Sequence, residues 1–358
     1  MDETSTVSIY SCGPTLNDYI HIGAYRNFVL ADILKKHFGV KGYYCKHGMN
    51  IMDARKHFAF NVIFYCNQFK TEYELMNLEL PNIITFTTQN TTEILSIVDD
   101  LLNRKVAYTT TEGTFVDISK IDGYGELTGI SAKGNFCFND TSLNKRNTSD
   151  FAIWKFDKDD SRGYPGWDIQ CAANCIIHLN NSLDYIIVGF NELVHTENIN
   201  TLINLYPRKV TNTKWIRIHY VDFQDDVPLF YLKDFIDKGF SRQLIKYMLY
   251  ITNYNSEIKL SSKYINDCKK NYEKINQFYK KLCDLDMVER NSKDEKIIID
   301  YEKIDRQFCE LKTANIMSDL FSIIKKHNKI QSGTSRNNIE TLKKYVEYLN
   351  ERLDFIER

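Results

Sequence analysis

The chain has 358 residues, a formal net charge of −1 at pH 7 and nine cysteines, and this length predicts two or three domains instead of one core. The near-neutral charge excludes a global basic field, so any nucleic-acid contact has to use a local patch. We find neither a charged-then-apolar leader nor an apolar run of about 18 residues, which predicts a cytoplasmic protein without a membrane segment.

The first predicted elements are a strand, a helix and a second strand within residues 7–47. This order is typical of a parallel α/β unit, with "CGPTLNDYIHIGAYRN" joining the strand to the helix. His21 and Gly23 therefore lie where a strand leads into a helix, and free backbone N–H groups and the helix dipole favour phosphate there. A capping or packing role for His21 is the alternative.

A helix in "TTEILSIVDDLLNRKVAYTT" and a strand in "TFVDIS" are predicted next. The polar stretch over residues 131–149 is typical of a loop. We interpret residues 83–149 as an inserted α/β subdomain, after which the parent domain resumes at "DFAIWK". The predicted domains are an α/β domain over 1–225, a connecting region over 226–262 and a helical bundle over 263–358.

Apolar stripes at helical spacing predict three or four helices in the C-terminal part of the chain. The stripes are Ile265, Cys268, Tyr272, Ile275 and Tyr279; Phe308, Leu311, Ile316, Leu320 and Ile324; and Ile339, Leu342, Val346, Leu349, Leu353 and Ile356. Residues 259–281 carry seven lysines against two acids, so one face of the first helix is basic. This face is either a solvated surface or a contact for an RNA backbone.

Five blocks of sequence occur in the order found in one known family. They are "CGPTLNDYIHIGAYRNFVLADIL", "GTFVDISKIDGYGELTG", "DFAIWK", "GYPGWDIQCAANC" and "VHTENI". Together they resemble the cysteinyl-tRNA synthetases, which are class I enzymes. The resemblance implies a Rossmann-like class I synthetase catalytic domain with an inserted α/β subdomain, followed by an all-α helical bundle.

The resemblance implies one zinc ion that binds the thiolate of the substrate cysteine. The positions that match its ligands are Cys12, Cys171 and His195. A zinc–thiolate bond would reject serine, because a hydroxyl is a harder and poorer ligand. The family's fourth ligand, a glutamate, has no counterpart at the matching position. Glu197 is the nearest replacement, although a helix would turn it to a different face.

Two further residues are assigned to the cysteine pocket by the resemblance. Thr15 would lie near the backbone of the bound cysteine, and Trp167 would form part of the pocket wall. Each has a structural alternative, Thr15 as a turn or cap residue and Trp167 as a core aromatic.

The resemblance also gives His21 and Gly23 catalytic roles. His21 would donate a hydrogen bond to the α-phosphate of ATP, supplied with Mg²⁺, as charge develops during adenylation. Gly23 would let the adenine approach the backbone closely.

The sequence departs from the family at the mobile lysine loop, KMSKS, which places positive charge beside the β and γ phosphates. The corresponding stretch, "IRIHYVDFQDDVP", contains no lysine and has Asp225 and Asp226 instead. The nearest candidates for a replacement cation are Lys214, Arg217 and Lys233.

Other departures concern adenosine and tRNA. Of the family's Gly-rich adenosine segment only Gly189 remains, and Asp168 and Gln170 replace a family His and Glu. The chain stops inside or just after the helical bundle, where family members usually carry an anticodon-reading domain. Recognition of tRNA by its anticodon is therefore in doubt.

These observations favour two candidate functions, an enzyme and a binding protein, and leave a third possibility. The first is a divergent, minimal cysteinyl-tRNA synthetase that activates cysteine with ATP and transfers it to tRNA, which would contact the basic face of residues 259–281. The second is a catalytically dead paralogue that binds RNA or a protein. A third, the joining of cysteine to a small amine, needs the same ATP chemistry as the first.

Overall fold

The computed structural model describes residues 6–16, 18–53, 62–130, 144–156, 162–179, 183–190, 192–206, 212–286, 296–327 and 335–357. Over these residues its strands are β1 (Thr6–Thr15), β2 (Tyr44–Met52), β3 (Ile83–Phe86), β4 (Ala107–Thr109), β5 (Gly113–Val116), β6 (Phe151–Lys155), β7 (Tyr164–Pro165), β8 (Tyr185–Gly189), β9 (Lys214–Ile218), β10 (Val221–Phe223) and β11 (Ile258–Leu260). Its helices are α1 (Ile22–Val40), α2 (Val62–Leu75), α3 (Thr91–Asn103), α4 (Trp167–Ala173), α5 (Leu193–Asn204), α6 (Leu232–Asp237), α7 (Arg242–Tyr250), α8 (Ser262–Asp286), α9 (Tyr301–Cys309), α10 (Thr313–His327) and α11 (Arg336–Leu353).

The larger sheet is parallel, with the strand order β3-β2-β1-β8-β9. Its central strands are rich in buried Ile, Val and Met because helices cover both faces. One face packs on α1 and α2, and the other packs on α3, α4 and α5. The strand order reverses between β1 and β8, so a crevice is expected at their carboxyl ends. The predicted α/β class with a Rossmann-like domain is confirmed.

A second, antiparallel sheet has the order β4-β5-β6-β7. Because of this sheet, the boundaries of the inserted subdomain differ from the predicted 83–149. β3 pairs with β2 in the parallel sheet, so residue 83 belongs to the parent domain. "DFAIWK" contains β6, which pairs with β5, so the parent domain does not resume there. Of the predicted loop, residues 131–143 lie outside the described residues.

The connecting region is attached to the first domain by a parallel pair of short strands, β10 and β11. Asp226 then links it to the bundle, because its carboxylate accepts a hydrogen bond of 3.0 Å from the backbone N–H of Ser262 at the start of α8. The Ser262 hydroxyl in turn donates to the Asp226 carbonyl at 3.1 Å. The negative carboxylate at a helix N-terminus is favourable for α8.

The C-terminal helices α8 to α11 form the predicted all-α bundle. The stripe residues from Ile265 to Ile275 and from Ile339 to Leu353 are buried, as their spacing predicts. The middle stripe is divided between α9 and α10, because the chain turns at Leu311 with a φ of 50°. Along the described ranges, we find no helix long and apolar enough to cross a membrane.

Candidate metal and nucleotide site

The predicted zinc ligands meet at the carboxyl edge of the parallel sheet. Cys12 lies near the end of β1, opposite Asn50 of β2. Cys171 is on α4, and His195 is on the first turn of α5, which follows β8. Because β1 and β8 are neighbours at the point where the strand order reverses, these three elements converge on one crevice.

The three side chains form a compact donor set. Their ligand atoms, two Sγ atoms and one imidazole nitrogen, all lie within 4.8 Å of one another. Cys171 Sγ and His195 Nε2 are 3.5 Å apart. Cys171 and His195 are buried, and Cys12 is half-buried. Two thiols and one imidazole fit Zn²⁺, and three protein ligands leave a position for a fourth.

The protonation states of the cluster follow from its hydrogen bonds and its burial. A hydrogen bond with Cys12 lowers the pKa of the Cys171 thiol to about 5, against the opposing effect of burial. The same contact and burial raise the pKa of Cys12 well above its usual value. Burial works to lower the pKa of His195, but Cys171 and Asp168 raise it well above its usual value. Cys12 and His195 therefore have to release protons to become metal ligands.

Glu197 does not join this cluster. Its buried carboxylate accepts hydrogen bonds from the backbone N–H and the hydroxyl of Thr128, at 3.1 and 2.9 Å. It lines a separate cavity of about 600 Å³ between residues 120–127 and α5. The helix turns Glu197 away from His195, as positions two apart on a helix require.

The sequence interpretation missed Glu192, the N-cap residue of α5. Burial raises the pKa of its carboxyl; the charge of His195 opposes this increase and that of Cys171 adds to it. Glu192 precedes His195 by three positions, and residues three apart share a helix face. This spacing is the sequence signal that could have identified it as the acidic neighbour of the cluster.

Of the two predicted pocket residues, Trp167 contacts a member of the cluster. Trp167 begins α4 and stacks on the His195 ring, with the ring centroids 4.4 Å apart. Its side chain is nevertheless 43% exposed, so it is not a core aromatic. Thr15 is the last residue of β1 and pairs with Met52.

His21 and Gly23 lie at the N-terminus of α1, as the sequence predicts. His21 is the N-cap residue. A Cβ on Gly23 would lie 3.0 Å from His21 Nδ1 and 3.2 Å from Val221 Cβ, so a larger residue would press against both side chains. The Ile22 N–H donates to the Phe230 carbonyl at 2.8 Å, and the Ala24 N–H donates to the His21 carbonyl. Two of the first three N–H groups of α1 are thus already used.

Two aromatic rings lie beside the His21 imidazole. The His21 ring lies 5.5 Å from the ring of Phe230 and 6.1 Å from that of Phe223. Lys214 lies over the Tyr185 ring, and Lys233 is exposed on α6.

The segment that matches the adenosine-binding run ends in stacked side chains. Gly189 closes β8, and the Phe190 ring stacks on His219 with centroids 4.5 Å apart. The Arg217 guanidinium lies 5.7 Å from the centroid of the same Phe190 ring. Arg217 therefore contacts an aromatic ring beside the crevice.

Comparison with known proteins shows which sequences this chain resembles. Residues 1–270 match the family described as "tRNA synthetases class I (C) catalytic domain". A cysteine-tRNA ligase of Brachyspira hyodysenteriae is 24% identical over 385 residues, which cover 96% of this chain and 81% of that protein. A cysteine-tRNA ligase of Methanococcus aeolicus is 28% identical over 314 residues, which cover 80% of this chain and 64% of that protein. The chain thus spans under two thirds of the length of the Methanococcus protein.

Solved structures share the fold. The arginyl-tRNA synthetase of Plasmodium falciparum superposes with a TM-score of 0.68 at 12% identity, covering 99% of this chain and 76% of that one. The Mycobacterium tuberculosis methionyl-tRNA synthetase in complex with methionyl-adenylate superposes with a TM-score of 0.66 at 9% identity, covering 98% and 91%. At these identities the likeness concerns the fold alone.

Proposed function

Because the chain belongs to the class I (C) tRNA synthetase family, we propose that it binds cysteine as a thiolate on a zinc ion held by Cys12, Cys171 and His195. The observation that carries this proposal is the meeting of the three ligand atoms within 4.8 Å of one another. A bound zinc ion would hold the substrate sulfur and favour cysteine over serine.

The pocket residues are proposed to act beside this site. Trp167 would cover the bound cysteine with the exposed part of its ring, and Thr15 would lie near the amino-acid backbone. The stacking of Trp167 on His195 supports this arrangement, because it fixes the indole against a proposed metal ligand.

Activation of cysteine by ATP and Mg²⁺, with transfer to tRNA in the cytoplasm, is the first candidate activity. His21 and Gly23 would bind the nucleotide at the N-terminus of α1. The exposed Lys263, Lys270 and Lys274 of α8 would contact the tRNA backbone. Their spacing of seven and four residues puts them on one helix face.

A catalytically dead paralogue that binds RNA or a protein is the second candidate. The rings of Phe223 and Phe230 favour it, because they lie beside His21, where an adenylating enzyme needs cations. Asp226 also favours it, since its carboxylate caps α8 and lies in the stretch that matches the lysine loop.

Metal content and cysteine-dependent ATP–pyrophosphate exchange test the proposal together. We expect one zinc ion per chain in the parent protein and a loss of zinc in Cys171→Ser, because serine is a poor zinc ligand. Exchange that disappears in His21→Ala would support the first candidate. Zinc without exchange would support the second, and a parent protein without zinc would contradict the cysteine site.

A further inference from the structure

The nitrogen of His195 that faces away from the thiols has a carboxylate partner. His195 Nδ1 lies 2.5 Å from Asp168 Oδ1, and both side chains are buried. Asp168 comes from the first turn of α4 and His195 from the first turn of α5, and the two helices pack against each other. The pair is therefore fixed by two helices instead of a loop.

Asp168 is itself held by a second interaction. Its other oxygen, Oδ2, accepts a hydrogen bond of 2.9 Å from Asn198 Nδ2. Asn198 Oδ1 in turn accepts a hydrogen bond of 2.6 Å from the Tyr124 hydroxyl. Asn198 follows His195 by three positions, so one face of α5 carries both the histidine and the amide that orients its carboxylate partner.

We propose that Asp168, oriented by Asn198, is a positioning residue that selects the metal-binding nitrogen of His195. The inference rests on the proposed zinc site. With the Nδ1 proton donated to Asp168, the lone pair of the neutral imidazole is on Nε2, which is the nitrogen that faces Cys171 Sγ at 3.5 Å. A hydrogen-bonded carboxylate also makes the imidazole a stronger ligand.

The neighbouring side chain limits the remaining freedom of the ring. Trp167 stacks on the imidazole with an angle of 23° between the two planes. Trp167 and Asp168 are adjacent in α4, so one helix turn controls both the plane of the His195 ring and its proton. The site therefore needs little reorganisation to receive a metal ion.

Zinc affinity measured by competition with a chromophoric chelator tests the proposal on the full chain. We expect Asp168→Asn to weaken zinc binding by about 10- to 100-fold, because loss of an outer-shell partner of a ligand histidine has effects of this size. We expect Asn198→Ala to weaken zinc binding as well, by a smaller factor than Asp168→Asn. Glu197→Gln is the matched control, because it replaces a buried carboxylate of α5 that bonds Thr128 instead of His195. Its affinity for zinc should stay within about twofold of the parent value.

Cobalt substitution gives an absorption spectrum that would stay unchanged if Asp168 had a purely structural role. Asp168→Asn should keep the thiolate-to-cobalt charge-transfer band, because both cysteines remain, while its d–d bands shift as the histidine ligand is weakened. Unfolding temperatures of the metal-free variants show whether the chains are folded. If Asp168→Asn does not fold, the zinc affinity of Asn198→Ala tests the proposal instead.

Each outcome separates this inference from the proposed function. A parent protein that binds no zinc overturns both. A parent that binds zinc with an affinity matched by Asp168→Asn overturns the role of Asp168 and leaves the zinc site standing. Equal losses in Asp168→Asn and Glu197→Gln would also overturn it, because the effect would then come from any lost charge on α4 or α5.

Discussion

Arg26 is a fully buried cation near the start of α1, and backbone carbonyl groups bind its guanidinium. Its guanidinium donates to the carbonyl oxygens of His219, Leu249, Thr252, Asn253 and Ser256, at distances of 2.7 to 3.3 Å. Burial lowers the pKa of Arg26 to about 10, so the group stays charged at neutral pH. One side chain thereby fixes the loops that follow β9 and α7 against α1.

Replacement of Arg26 by lysine should destabilise the protein although the charge is retained. A lysine ammonium has three donors on one nitrogen and cannot reach carbonyls distributed around a planar fork. We expect Arg26→Lys to lower the free energy of unfolding by about 3 kcal/mol, since several buried carbonyls lose their donor. Urea unfolding provides the measurement.

Arg104→Lys is the matched control for this prediction. Arg104 is exposed and forms an ion pair with Asp100 at 3.2 Å. Exposed pairs contribute little, so we expect a change within about 0.5 kcal/mol. Equal effects at the two positions would show that the five carbonyl contacts of Arg26 do not contribute to stability.

At the scale of elements, local pattern predicted β1, α1, β2, α3 and the bundle helices, because their apolar residues repeat at the period of the element that buries them. Which strands pair is a non-local property. β3 and β6 are both short apolar runs, yet one joins the parallel sheet and the other the antiparallel sheet. The boundaries of the inserted subdomain therefore could not be derived from local sequence.

In the candidate site, too, some residues could be predicted from the sequence and others could not. The family resemblance placed Cys12, Cys171 and His195 together, and the structure brings them within 4.8 Å of one another. The partner of the histidine could not be predicted in this way, because Asp168 and His195 are 27 positions apart and meet only through helix packing. Glu192 was within reach of sequence reasoning, through its helical spacing from His195.

The contact between α1 and the bundle contains a buried histidine. His37 stacks on Phe308 of α9 with ring centroids 5.1 Å apart, and its Nδ1 accepts a hydrogen bond of 3.2 Å from Arg352 Nε of α11. Burial lowers the pKa of His37 to about 4, and the charge of Arg352 acts in the same direction. The folded protein therefore holds His37 neutral at pH values where an exposed histidine is protonated.

This pKa predicts a loss of stability as the pH falls from about 6.5 to 4. An unfolded histidine takes up a proton near pH 6.5, and the folded His37 does so only near pH 4. Acid therefore favours the unfolded state, by about 3 kcal/mol over the whole interval. The measurement is urea unfolding at several pH values, comparing the parent with His37→Gln, which cannot titrate. Identical pH slopes in the two proteins would contradict the prediction.

At the scale of the whole molecule, the α/β domain and the bundle share one hydrophobic core. The same cluster of buried side chains contains Ile9 of β1, Phe28 of α1, Tyr247 of α7 and Leu342 of α11. Lys246 adds a buried ionic contact, because its ammonium lies 3.1 Å from Asp354 and 3.9 Å from Asp32. A continuous core of this kind predicts that the two parts unfold together.

Two spectroscopic probes can test this coupling because the tryptophans are unevenly distributed. Trp154, Trp167 and Trp215 all lie in the α/β part, whereas far-UV circular dichroism is dominated by helices that include the bundle. We expect Leu320→Ala, which truncates a fully buried side chain of α10, to lower the urea midpoint of both probes equally. A buried leucine-to-alanine change costs about 2–5 kcal/mol, so the shift should be easy to resolve. Phe321→Ala, at a half-buried neighbouring position, should cause a smaller shift. A shift confined to circular dichroism would mean that the bundle unfolds as an independent unit, because the fluorescence of the α/β part would then not sense the loss.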